Sequence, residues 1–133
     1  MKLLLDTSTF LWFITASPEL PAEVSTAIQS PANEVCLSVV SFWEILVKHQ
    51  LGRLPLPEEP STYIPRQRDR HRVDSLPLHE AALTHLSKLP AIHRDPFDRM
   101  LVCQAIEHAF TLVTRDRAVR AYPVKTFWSA QAP

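Results

Sequence analysis

Short apolar runs alternating with longer helix-like stretches constrain this chain more than any other feature. Leu3-Leu4-Leu5, Val35-Cys36-Leu37, Leu76-Pro77-Leu78, and residues 110–113 and 124–127 are each too short for a helix and read as strands or extended pieces. The segments between them carry helical punctuation. Residues 9–15 read as a largely buried helix. Ser17-Pro18 reads as a cap followed by proline at the first helical position, opening a helix to about Ser30. A further helix runs through Trp43, Ile45, Leu46 and Val47 and stops at Gly52, a natural left-handed terminator. Residues 61–71 form a basic helix after a loop marked by Pro55, Pro57 and Pro60, and residues 80–88 a helix ended by Pro90. Asp95-Pro96 opens a helix to about Ala109, and residues 116–122 form a short one. Strands alternating with helices predict an α/β fold: a three-layer α/β/α sandwich around a mainly parallel central sheet.

A chain of 133 residues with 46% apolar content fills one hydrophobic core, so a single domain over residues 1–133 is expected. The formal net charge of +0 excludes a global basic field; any nucleic-acid surface must be local. Charge is nevertheless uneven. Residues 1–47 set Lys2 against Asp6, Glu19, Glu23, Glu34 and Glu44, whereas residues 66–72 read Arg-Gln-Arg-Asp-Arg-His-Arg, a solvated face or a backbone-contact patch. Cys36 and Cys103 supply neither a disulfide framework nor a C-x-x-C metal site, and the opening Met-Lys-Leu-Leu-Leu is cut by Asp6 far short of a signal-peptide core. Cys36 and Cys103 read as reduced, buried thiols, so a cytoplasmic location is expected, and no stretch is long enough to span a membrane. Gly52 is the one glycine against twelve prolines, which excludes Walker A and G-x-G-x-x-G phosphate loops. The histidines at 49, 71, 79, 85, 93 and 108 share no metal-ligand spacing and read as packed or surface residues.

Four acids stand out by position: Asp6 after the first strand, Glu44 in Ser-Phe-Trp-Glu-Ile, Asp98 in Asp-Pro-Phe-Asp-Arg, and Asp116 after Leu-Val-Thr-Arg. Each falls where a strand ends or a helix begins. In an α/β fold those places meet outside the carboxyl ends of the strands. Each acid has an ordinary structural reading as well. Asp6 and Asp116 can cap helices, Glu44 completes a capping box with Ser41, and Asp98 sits at the third position after the cap Asp95. Gathered together, they demand cations, because two like charges about 4 Å apart cost roughly 4 kcal/mol at an effective dielectric near 20. Oxygen ligands with no His or Cys pair nearby select Mg²⁺ or Mn²⁺ over zinc.

At these residues the sequence resembles the PIN domain, specifically the VapC-type toxins of bacterial toxin–antitoxin modules. The likeness is carried by Leu-Leu-Leu-Asp6-Thr, by Ser-Phe-Trp-Glu44-Ile with Lys48 and Leu51-Gly52-Arg53-Leu54 after it, by His93-Arg94-Asp95-Pro96-Phe97-Asp98-Arg99-Met100-Leu101, and by Leu112-Val113-Thr114-Arg115-Asp116. It runs through almost the whole chain. The resemblance implies a Mg²⁺- or Mn²⁺-dependent endoribonuclease whose metal is held by Asp6, Glu44, Asp98 and Asp116. Hydrolysis by activated water would leave 5′-phosphate and 3′-hydroxyl ends. Thr7 or Ser8 and Thr114 are implied to bind metal-site water. Ser8 and Cys103 depart from the residues common in relatives, without touching the four acids.

Arg99 and Arg115 flank the acids and are candidates for contact with the substrate phosphate, with Arg99 equally a structural partner of Asp95 or Glu44. Asp95 itself reads as a helix cap. The resemblance further implies an RNA substrate, a cognate antitoxin, a homodimer, and DNA contact only through the antitoxin. The Phe10-Leu11-Trp12-Phe13-Ile14 run is too continuously apolar for one helix face, so part of it is expected to meet such a partner. Two other readings stand beside the nuclease: a PIN-like protein that binds RNA or a partner without cleaving, and a Mg²⁺-dependent phosphatase of the haloacid-dehalogenase type. The phosphatase chemistry wants a second Asp two residues after the first, where this chain has Ser8.

Overall fold

The computed structural model describes residues 1–91 and 95–129. His93 and Arg94 of the third motif lie outside the described residues. Five strands form one sheet: β1 (Lys2–Leu5), β2 (Glu34–Ser38), β3 (Asp74–Leu76), β4 (Thr111–Val113) and β5 (Thr126–Phe127), in the order β3-β2-β1-β4-β5. Every neighbouring pair is parallel, as it must be when helices carry the chain back between strands. The helices are α1 (Thr7–Ile14), α2 (Ala22–Gln29), α3 (Val39–Gln50), α4 (Pro60–His71), α5 (Glu80–Leu83), α6 (Pro96–His108) and α7 (Arg117–Arg120), with a 3-10 turn at Leu86–Lys88. The expected three-layer α/β/α arrangement is the one observed.

Strand periodicity divides the core into two halves. Leu3, Leu5, Val35, Leu37 and Val113 point to one face, against Phe10 and Phe13 of α1, Val24 and Ile28 of α2, and Tyr63 and Ile64 of α4. Leu4, Cys36 and Leu112 point to the other, against Leu101, Val102 and Ala105 of α6 and Val119 of α7. The register aligns these side chains across the central strands, with Leu3 opposite both Val35 and Thr111 and Leu5 opposite both Leu37 and Val113. A strand covered on both faces carries a continuous apolar run rather than an alternating one, which is why Leu3-Leu4-Leu5 has no polar member. Burial pushes the Cys36 thiol up to about 11, so it stays protonated.

Several boundaries shift from the sequence expectation for local reasons. The helix expected from Pro18 starts at Ala22 with Pro21 as its cap. A start at Pro18 would place Pro21 where the first turn needs an N–H, which proline lacks. The Ser17 hydroxyl and carbonyl instead organise a turn, accepting from Glu19 N at 3.2 Å and from Leu20 N at 3.2 Å. The helix expected over residues 80–88 breaks into α5 and the 3-10 turn; Thr84 Oγ1 donates to Ala81 O at 2.7 Å, and the next amides bond three residues back instead of four. Strand β3 occupies Asp74–Leu76 and ends before Pro77, which has no donor for the ladder. The helix expected over residues 116–122 contracts to Arg117–Arg120, with Asp116 outside as its cap.

One buried polar pair ties α6 to the rest. Gln104 is 0% exposed. Its side-chain nitrogen donates to Pro77 O at 3.2 Å, and its oxygen accepts from Ser38 Oγ at 2.5 Å. Gln104→Leu should therefore destabilise the fold by about 1–3 kcal/mol, because Ser38 Oγ and Pro77 O lose a buried partner. Chemical denaturation of the variant beside the parent measures it; an unchanged midpoint would show that water replaces the amide.

Candidate functional site

The sheet order places the topological switch point between β1 and β4, where the chain leaves β1 toward β2 on one side and later returns as β4 on the other. At the carboxyl end of that junction lies a cavity of about 340 Å³ lined by Asp6, Thr7, Ser8, Glu44, Lys48, Asp95, Asp98, Arg115 and Asp116. All four acids singled out from the sequence share it.

Asp6 follows β1 directly. Its backbone N–H donates to Val113 O at 3.1 Å, extending the pairing with β4 by one step. Its Oδ1 accepts from Thr9 N at 2.8 Å and caps α1. Asp116 repeats the device after β4: it caps α7 by accepting from Ala118 N at 2.9 Å, and its own N–H donates to the buried Thr114 Oγ1 at 3.0 Å. Asp95 caps α6, accepting from Phe97 N at 2.9 Å and more weakly from Asp98 N at 3.4 Å, which fixes Asp98 in the first turn of that helix. The capping reading of these acids is thus correct, and it is also what aims them. Helix N-termini favour ionised carboxylates.

Glu44 is held differently. The expected capping box with Ser41 does not form, because β2 ends on Ser38, whose Oγ accepts from Val40 N at 2.9 Å and starts α3 three residues earlier. Glu44 therefore lies in the second turn of α3, 5% exposed. Its Oε1 accepts from Thr7 Oγ1 at 2.5 Å, and its Oε2 accepts from Lys48 Nζ. Burial raises the Asp6 carboxyl above its ordinary value; hydrogen bonds from Thr9 and Thr114 pull it back, and the nearby charge of Glu44 raises it again. Among the described residues no three Asp, Glu, His or Cys side chains make a ready-made cage for a cation. The donor set is instead carboxylate and hydroxyl oxygen around an open cavity. That suits a hard cation that takes one or two carboxylates and keeps several waters.

The supporting residues divide. Thr7 and Ser8 line the cavity, and Thr114 lies buried behind Asp116. Arg115 lines it too, its guanidinium 2.7 Å from Glu19 and stacked 4.5 Å over the Trp12 ring. Arg99 does not join them: it points toward Leu86 O at 3.4 Å, Pro90 O at 3.3 Å and the Tyr122 hydroxyl at 3.5 Å, tying α6 to its neighbours, with no bond to Asp95 or Glu44. The helical register turns it away, since it follows Asp98 by about 100° around the axis. The basic stretch at residues 66–72 lies on α4 and its C-terminus and contributes no lining residue; Arg66 is paired with Glu58 at 2.7 Å. Within the apolar run of α1, Phe10 and Phe13 are buried while Leu11, Trp12 and Ile14 are partly buried against the same core. Lys48 was missed as a site residue, although its i,i+4 spacing from Glu44 signalled the pairing. Trp43, expected as an ordinary residue of this helix, is 57% exposed, its ring 4.9 Å edge-on from Phe97.

A parallel α/β sandwich with carboxylates gathered at its switch point is the class of protein defined here. The PIN domain family model matches residues 3–125, and the chain belongs to that family. Ribonuclease VapC22 from Mycobacterium tuberculosis (strain ATCC 25618 / H37Rv) is 27% identical over 119 residues, covering 90% of this chain and 90% of that protein. Ribonuclease VapC16 from the same organism is 33% identical over 63 residues, covering 47% of this chain and 45% of the relative, so that match spans less than half its length. Among solved structures, the crystal structure of VapBC2 from Rickettsia felis bound to a DNA fragment from their promoter superposes with a TM-score of 0.74 at 14% identity, covering 97% of this chain and 100% of that one. At that identity it shows a shared fold.

The raised Asp6 carboxyl has a measurable consequence in chelator-containing buffer. Below the ordinary value of 3.8 Asp6 is protonated in both folded and unfolded chains. As pH rises through its higher folded value, ionisation is harder in the fold than in the open chain, so stability is lost. Asp6→Asn should therefore be more stable than the parent at pH 7, with the gain fading as pH falls toward 3.8. Denaturation midpoints across that range test it; a variant less stable at pH 7 than at pH 4, relative to parent, would contradict the burial account.

Proposed function

We propose that this protein is a metal-dependent endoribonuclease acting as the toxin of a toxin–antitoxin pair. The observation that carries the reading is the convergence of Asp6, Glu44, Asp98 and Asp116 on one cavity at the sheet's switch point. Membership of the PIN family and the two ribonuclease relatives support it. We assign those four acids as the groups that would hold Mg²⁺ or Mn²⁺. A bound divalent ion would supply Lewis acidity, lowering the pKa of water and taking up charge on phosphate oxygens.

The chain's own residues set the stage for that chemistry. Asp6 and Asp116 are fixed by their caps at the ends of adjacent strands, so a divalent ion would meet carboxylates that need no reorganisation. Thr7 orients Glu44 through Oε1, and Thr114 supports Asp6 and Asp116 from beneath. Arg115, restrained by Glu19 and Trp12, stands at the cavity wall as the cation that orients the incoming phosphate. No side-chain nucleophile is required, and the ribose 2′-hydroxyl takes no part, so the products carry 5′-phosphate and 3′-hydroxyl ends. The solved VapBC structures pair a PIN-like fold with a second protein, which supports an antitoxin partner here. A homodimer acting in the cytoplasm as a single-domain protein completes the proposal; among the described residues no helix is long and apolar enough to cross a membrane.

Purified protein should cleave RNA with Mg²⁺ or Mn²⁺ and stop when EDTA is added, and Asp6→Asn or Asp116→Asn should each lower the rate roughly 10²-fold or more. Growth arrest on expression should disappear with the same substitutions. Sequencing of the RNA ends gives the chemistry directly. EDTA-resistant cleavage, or cleavage unaffected by either substitution, would refute the reading, and metal-independent RNA binding without cleavage would favour a non-cleaving role.

A further inference from the structure

Both carboxylate oxygens of Glu44 are already engaged, and by groups of opposite character. Oε1 accepts from Thr7 Oγ1, and Thr7 is itself buried in the first turn of α1, so that oxygen belongs to the wall of the fold. Oε2 accepts from Lys48, whose side chain is 47% exposed and rides on a flexible stem at the cavity edge. An ordinary i,i+4 ion pair lies on a solvated helix face with both ends open to water. Here the acid is buried, the base reaches inward from solvent, and the same cavity holds Asp6, Asp98 and Asp116.

We propose that Lys48 is the internal counter-ion of Glu44: it neutralises this carboxylate through Oε2 when no divalent cation is bound, and a divalent cation gains Glu44 only by displacing it. The inference rests on the metal-dependent reading above and deepens it. Thr7 engages Oε1 from the buried side, and the proposal takes Oε2, which Lys48 holds, as the oxygen offered to a cation. The two cations therefore compete for one atom, and each weakens the other by the same factor. The lysine also spares the metal-free protein a buried, unpaired carboxylate. Once displaced, its ammonium lies at the cavity edge, where a phosphate of the RNA would arrive. Regulation of metal loading by the protein's own lysine follows from this arrangement without any partner.

Manganese alone is the probe, with no RNA present. Calorimetric titration of Mn²⁺ into the parent, Lys48→Met, Lys48→Arg and Asp6→Asn is compared with their melting temperatures in EDTA and in saturating Mn²⁺. Lys48→Met should bind Mn²⁺ roughly tenfold more tightly, melt lower in EDTA, and gain more on Mn²⁺ saturation than the parent; Lys48→Arg should stay near the parent. Acetylation of the unmodified protein, followed by mass spectrometry, covers the case in which Lys48→Met fails to fold: Lys48 should label faster once Mn²⁺ is added. Unchanged or weaker Mn²⁺ binding by folded Lys48→Met, or Lys48 labelling that is unchanged or slowed by Mn²⁺, would overturn the proposal. If the parent binds Mn²⁺ and Asp6→Asn does not, that failure falls on Lys48 alone. A parent that binds no Mn²⁺ overturns the metal reading and the lysine's role with it.

Discussion

Strand β1 is the constraint on which the rest depends. Leu3, Leu4 and Leu5 are each 0% exposed, paired on both sides and covered on both faces. Burying each such side chain stabilises the fold by about 1.5–3 kcal/mol relative to exposure. The run ends on Asp6, whose charged form opposes burial, and the competition between the two fixes the strand's end at the cavity. The amide of Asp6 still pairs with Val113 while its carboxylate turns to cap α1. One residue thus closes the sheet, starts a helix and presents a carboxylate at the switch point.

The same solution is repeated at β4 with Asp116 and, without a strand, at α6 with Asp95 and Asp98. Helix capping and an acidic cavity are usually weighed as rival explanations for an Asp at a helix start. Here they are one arrangement, since the cap holds the side chain where the strands converge. Glu44 is the exception, delivered from the second turn of α3 and held by Thr7 and Lys48 in place of backbone amides. It is also an acid paired with a lysine, Lys48, whose side chain is 47% exposed.

Where the sequence expectations failed, a neighbouring group outcompeted a pattern. Ser41 and Glu44 have the spacing of a capping box, but Ser38 at the end of β2 captured the cap, leaving the Ser41 hydroxyl buried with no hydrogen-bond partner among the described residues. Ser17-Pro18 has the spacing of a helix start, but Pro21 three residues on made Ala22 the workable one. Arg99 sits beside Asp98 in sequence and looked like a cavity residue, yet helical rotation sends it to carbonyls of the 86–90 segment. Arg115 beside Asp116 stayed, because Glu19 and the Trp12 ring hold it there.

Local chemistry is written in the chain: two-sided strands in Leu3-Leu4-Leu5 and Leu112-Val113, caps in Asp-Thr, Asp-Pro and Asp-Arg, and the left-handed turn of Gly52 at φ +73. These follow from steric limits, periodicity and hydrogen-bond donors within a few residues of each other, so the fold class and the four acids could be read directly. The order β3-β2-β1-β4-β5 is another matter, and with it which residues share a cavity. Contacts such as Thr7 with Glu44, Arg115 with Glu19 and Ser38 with Gln104 join residues 37, 96 and 66 positions apart. Nothing within either partner's neighbourhood specifies such a meeting; packing of the two helical layers onto the twisted sheet decides it.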